Sequence, residues 1–119
     1  MAANESSAIA SIRSIGVAEV GYAQAHPNAG FTCSLSDLGG DRLISSALAE
    51  GTKNGYAFEL SDCSAGTEGT GNVRYRVVAY PVRANATGVR AFCSDESAVF
   101  RVDSSGSARG CLENGSPLP

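Results

Sequence analysis

The feature that most restricts the fold is a change of hydrophobic period along the chain. Over residues 3–26, Ile9, Ile12, Gly16, Val20 and Ala23 recur at spacings of three and four, and Ala8, Ile15 and Tyr22 extend that stripe. This is the period of an amphipathic helix. Asn4 is placed to cap its start with Glu5 beside it, and Pro27 ends it at the His26-Pro27-Asn28 turn. After Gly51 the period becomes two. Tyr56, Phe58 and Leu60 alternate with Ala57 and Glu59. Val73, Tyr75, Val77 and Ala79 alternate with Arg74 and Arg76, and Val89, Ala91 and Cys93 with Arg90 and Phe92. That pattern describes antiparallel strands with one buried face.

The expected layout is one domain over residues 1–119. It has a helix at about 3–26, a short helix at about 42–50 closed by Gly51, and a single helical turn or loop at 34–40. Strands are expected near 55–60, 73–80, 88–93 and 98–103, with an irregular tail over 104–119. The Gly-rich run 66–71 reads as a hairpin connection rather than a dinucleotide loop, because no strand leads through it into a helix. The fold class is α+β: a long amphipathic helix packed on a four-stranded (three to five) antiparallel meander. A length of 119 residues suits one small domain, and 43% hydrophobic content suits one core.

Charge and motifs exclude several functions. The net charge is −3 and no block of Lys or Arg occurs, so the footprint expected of a nucleic-acid binder is missing. No G-x-S-x-G, P-loop or H-E-x-x-H is present, and no catalytic residue, cofactor or metal is expected. His26 reads as a helix-end surface residue. Asp95, Glu96 and Asp103 read as a solvated acidic loop; a calcium site would take such carboxylates but needs a ligand spacing they lack. The sequons at Asn4, Asn85 and Asn114 arise readily in a Ser-rich chain. Four cysteines, Cys33, Cys63, Cys93 and Cys111, stand too far apart for paired zinc ligands or a redox C-x-x-C, and read as two disulfides in an oxidising compartment. Yet residues 1–7 show neither a basic n-region nor a long apolar run. The expectation is a truncated, processed or split chain.

At this point the residues resemble a known family. The run 4–22, NESSAIASIRSIGVAEVGY, resembles the C-terminal half of the long first helix of type IV pilins. Residues 36–40, 55–60 and 91–101 resemble the loop and strands of pilin and pseudopilin headpieces. The resemblance implies a structural subunit of a cell-surface filament, reached through the inner membrane and periplasm and serving adhesion, motility or attachment. It implies a homopolymer joined through the N-terminal helix, with Ile9, Ile12, Ile15 and Val20 at the helix interface. Membrane contact would come only through an apolar half-helix that this sequence lacks, and the isolated headpiece would be a monomer or weak oligomer. A type II secretion pseudopilin is the nearest alternative, and a secreted disulfide-stabilised binding module the alternative of another class. Four cysteines allow three pairings. The layout favours Cys33 with Cys63 and Cys93 with Cys111, tying the helix-to-sheet loop to the first strand and a later strand to the tail.

Overall fold

A computed structural model describes residues 2–65 and 71–118. The helical period of the opening segment yields α1, Ala2–Ala25, 24 residues long. His26 N–H still donates to Tyr22 O at 2.8 Å, and Pro27, with no N–H to offer, stops the ladder. The turn that follows is sewn to the sheet: Phe31 N donates to Asn72 O and Asn72 N donates to Ala29 O. Gly30 makes this approach possible. Its φ is +66°, and a Cβ there would lie 2.2 Å from Asn72 O.

Two short helices come next, α2 (Leu35–Gly40) and α3 (Ser46–Ala49). The expected helix at 42–50 is thus confined to four residues. Ser45 Oγ caps α3 by accepting from Leu48 N at 3.3 Å, so Leu43 and Ile44 fall outside it. Gly51, at φ +97°, takes the left-handed conformation just past α3.

The sheet has six strands: β1 (Thr52–Lys53), β2 (Tyr56–Ala65), β3 (Asn72–Pro81), β4 (Ala91–Asp95), β5 (Arg101–Asp103) and β6 (Ser116–Pro117). All neighbours are antiparallel and the order is sequential, so the meander holds but the count exceeds the three to five expected. The surplus comes from two-residue strands at both edges, too short to show alternation. The expected hairpin connection at 66–71 lies, but for Gly71, outside the described residues. The tail is ordered rather than irregular. Ser107 Oγ caps α4 (Ala108–Asn114) by accepting from Gly110 N at 2.9 Å, and β6 then pairs with β5.

Both faces of the sheet are covered. On one, Ala8, Ile12, Ile15 and Ala18 of α1 pack with Tyr56, Phe58, Tyr75, Val77, Ala79 and Phe92. On the other, Val78, Ala91 and Cys93 pack with Cys111 beneath α4. This reverses the phase read for β4: Phe92 faces the helix, while Ala91 and Cys93 face the tail. An alternating strand buried on both sides carries no label saying which set meets which partner.

Cys33 is bonded to Cys63 and Cys93 to Cys111. The two bridges differ in setting. Cys33 is exposed, whereas Cys93 and Cys111 are sealed inside the second core. Replacing Cys93 and Cys111 together by alanine is expected to lower stability by about 3 kcal/mol, the loop-closure entropy of a loop of roughly 18 residues. Urea denaturation of the variant and parent checks it.

Candidate functional site

The 24 residues of α1 would span about 36 Å at ~1.5 Å per residue. They run in a domain measuring 42 × 29 × 20 Å. One face of that rod is docked and the other is open. The docked face is Glu5, Ala8, Ser11, Ile12, Ile15, Ala18 and Glu19. The buried stripe is therefore shifted from the expected one: Val20 drops out, and two glutamates and a serine come in.

Of the residues expected at a filament interface, Ile12 and Ile15 are 1% and 0% exposed and belong to the domain's own core. Ile9 is half-buried against that core, and only Val20 is open, at 51%. The near end of the helix is bound to the body. Asn4 lies within α1 rather than capping it, and its Nδ2 donates to Thr87 O at 2.9 Å. Glu5 is clamped beside it. Its Oε2 accepts from Val89 N at 3.1 Å and Arg90 N at 3.0 Å, and its Oε1 from Arg90 Nε at 3.1 Å and Nη2 at 3.0 Å. Burial pushes the Glu5 carboxyl up, but these four donors and the guanidinium charge outweigh it and hold the group below its ordinary value.

The open face carries apolar side chains of its own. Val17 is 70% exposed and lies roughly 140° round the helix from Ile12 at ~100° per residue. Leu43, 38% exposed, packs across Gly21, where a Cβ would sit 3.5 Å from its Cδ2. Between α1 and the β4–β5 connection runs an apolar groove of about 210 Å³, floored by Ile12 and Gly16 and walled by Val17, Val20, Ala98 and Phe100. The Arg13 guanidinium lies 5.4 Å from the Phe100 ring centroid and covers one end. A second, shallower hollow of about 470 Å³ lies between Val17, Ala10 and Leu43. Val17 lines both hollows, with Val20 in the first and Leu43 in the second, so exposed apolar side chains gather on the open side of α1.

The remaining polar candidates are engaged locally. His26 Nε2 pairs with Asp41 Oδ2 at 2.7 Å, and its ring stacks on Tyr22 with centroids 4.3 Å apart. Asp95 Oδ1 accepts from Ser97 N at 2.9 Å, Glu96 Oε1 from Tyr75 N at 3.3 Å, and Asp103 Oδ2 from Ser107 N at 2.9 Å. Hydrogen bonds from Ser105 and Ser107 hold Asp103 below its ordinary value. Among the described residues no group of three or more His, Cys, Asp or Glu side chains is arranged to hold a metal ion. Asn85 is exposed at a turn with φ +63°, but Thr87 Oγ1 of the same sequon is bound to Arg83 N and O. Asn114 ends α4 in solvent. An open polar cleft of about 550 Å³ between Asp62, Arg74, Arg76 and Asp95 contains the exposed Arg76–Asp62 pair at 3.3 Å. Among the described residues that line it, no hydroxyl is hydrogen-bonded to a base.

Reading by residue type passed over Glu5, Glu19, Val17, Leu43 and Phe100. One cue was available: Glu5, Ile12 and Glu19 are each seven residues apart, which puts both acids on the stripe of Ile12. Comparison with family models, with curated proteins and with solved structures finds no match for this chain.

Proposed function

We propose that this chain is the globular headpiece of a type IV pilin-like filament subunit, built to be packed beside copies of itself through α1. The observation that carries this reading is the double use of one helix. Ala8, Ile12, Ile15 and Ala18 lock it to the sheet, while Val17 and Val20 on the other side, with Leu43, keep an apolar surface in water. Neighbouring subunits would cover that surface in the filament. Two disulfides suit a fibre head exposed outside the cell. The order of helix, loop, meander and bridged tail agrees with the pilin resemblance of residues 4–22, 36–40 and 91–101.

The test is to shear surface fibres from cells producing the chain and identify their protein by mass spectrometry, with immunogold labelling of intact fibres. The expected result is peptides of this chain in the sheared fraction and gold along the fibres. Chain confined to the envelope would replace the surface fibre with a short secretion filament. Free monomer in the medium with no fibre would sink both and favour a secreted binding module.

A further inference from the structure

The two glutamates on the docked face of α1 have unequal surroundings. Glu5 has four donors and a cation. Glu19 is 0% exposed and, among the described residues, has a single donor: Thr32 N gives to its Oε1 at 2.8 Å, while Oε2 has no hydrogen-bond partner there. The elements around it supply no cation. From α2, Asp37 binds the hydroxyl of the same Thr32 at 2.6 Å. From β3 comes the buried Tyr75, beyond which lie Asp95 and Glu96. One turn along α1 is Tyr22, with Asp41 beyond it. The ion pairs found among the described residues are His26–Asp41, Arg76–Asp62, Arg90–Glu5 and Arg109–Glu113, so none reaches Glu19.

A carboxylate sealed in with one donor and an acid behind it is unstable as an anion. As a neutral acid the same group is tolerable, with Oε2 the oxygen left to carry the proton. Thr32 belongs to the connection between α1 and α2, and its neighbour Cys33 is tied to β2 by the bridge to Cys63. The connection is therefore held at three adjacent residues: at Phe31 by its hydrogen bonds with Asn72, at Thr32 by Glu19, and at Cys33 by a covalent bond.

We propose that Glu19 is a proton-operated latch: as the neutral acid it holds the α1–α2 connection against the helix through Thr32, and losing its proton to water frees that connection while the sheet stays folded. The balance is a single proton transferred from Glu19 to solvent, and the ionised carboxylate is relieved when Thr32, between the anchored Phe31 and Cys33, lifts and admits water. Burial, with Asp37 adding to it, pushes the Glu19 carboxyl up to about 7. The latch thus works across neutral pH, where small changes alter its state. The proposal does not depend on the filament reading, since it concerns the isolated chain.

The experiment is NMR on the oxidised full chain. It follows the Glu19 side-chain carboxyl carbon from pH 4 to pH 9 and the exchange protection of the Thr32 amide, referenced to Val78 in β3. A group titrating near 7 when latched and near 4.5 when open raises the opening constant roughly thirty-fold between pH 5.5 and 8.5. Thr32 protection is expected to fall by that factor, and at every pH to lie below that of Val78, which exchanges only when the sheet itself opens. E19Q, which keeps the acceptor for Thr32 but cannot ionise, is expected to hold Thr32 protection level with pH. D37N is expected to move the Glu19 midpoint down. A Glu19 midpoint below pH 5.5, or Thr32 protection independent of pH in the parent, overturns the proposal. So does the same pH-dependent loss in E19Q. If E19Q does not fold, the parent titration decides alone, because the Glu19 midpoint and the Thr32 loss must coincide.

Discussion

Replacing Val17 and Val20 together by aspartate is expected to leave the chain folded and, on the proposed filament function, to remove it from sheared filaments. Both side chains are more than half exposed, and surface changes of this kind move stability within about 0.5 kcal/mol each, a few degrees in Tm for a domain of this size. The same pair supplies the wall of the groove beside Ala98 and Phe100, so in a packed filament two carboxylates would be driven into an apolar contact without partners. Loss of assembly with the melting temperature moved by no more than a few degrees is the result that separates an interface from a core. The control is Ile15→Ala on the opposite face. Ile15 is 0% exposed, and its truncation is expected to cost about 2–5 kcal/mol, lowering Tm by ten degrees or more. Scanning calorimetry of the purified chains and electron microscopy of sheared fractions measure the two effects. Normal filaments from the Val17, Val20 variant would place the subunit contact on another face.

The second large effect is expected from Glu5→Ala, a loss of about 3 kcal/mol. The substitution strands the amides of Val89 and Arg90 and takes the anion from a guanidinium held at 3.0 Å. Complete loss of a buried pair costs about 3–5 kcal/mol, and the lower end applies here because the Arg90 side chain is 43% exposed and can be hydrated. The pH dependence has a definite sign. Glu5 is held below its ordinary value of 4.5 when folded, so its contribution is present above 4.5 and is lost as acid takes pH down through the folded value. Glu19 acts in the opposite direction. Its folded value of about 7 lies above 4.5, so stability falls as pH rises between them. Urea denaturation from pH 3 to pH 9 is therefore expected to show a maximum in mild acid. Glu5→Ala should flatten the acid limb and Glu19→Gln the alkaline one. A flat parent profile contradicts both assignments, and a peak above pH 8 contradicts that of Glu19.

These two residues show where sequence reading stopped. The stripe of Ile9, Ile12, Gly16, Val20 and Ala23 follows the apolar residues, as a stripe drawn from hydropathy must. The face that meets the sheet instead runs through Glu5, Ile12 and Glu19. A glutamate can enter a buried stripe when another part of the chain brings donors to it, and those donors come from residues 89–90 and 32, which no local pattern links to α1. The phase error in β4 has a related cause. Alternation identifies two sets of side chains, but α4 covers one set and α1 the other, and α4 is a seven-residue helix in a stretch too rich in Gly and Ser to show a helical stripe.

The amino-acid sequence alone determined the succession of elements: a rod ended by Pro27, a short helical link closed near Gly51, a run of antiparallel strands, and four cysteines suited to two bridges. These are matters of period, breakers and composition, which act over a few residues. Tertiary structure decided which side of the rod is core and which stays open, which glutamate finds a cation, and how the tail caps the second face. Each of those depends on groups up to 85 positions apart meeting in space, and their energies exist only after the chain has closed on itself.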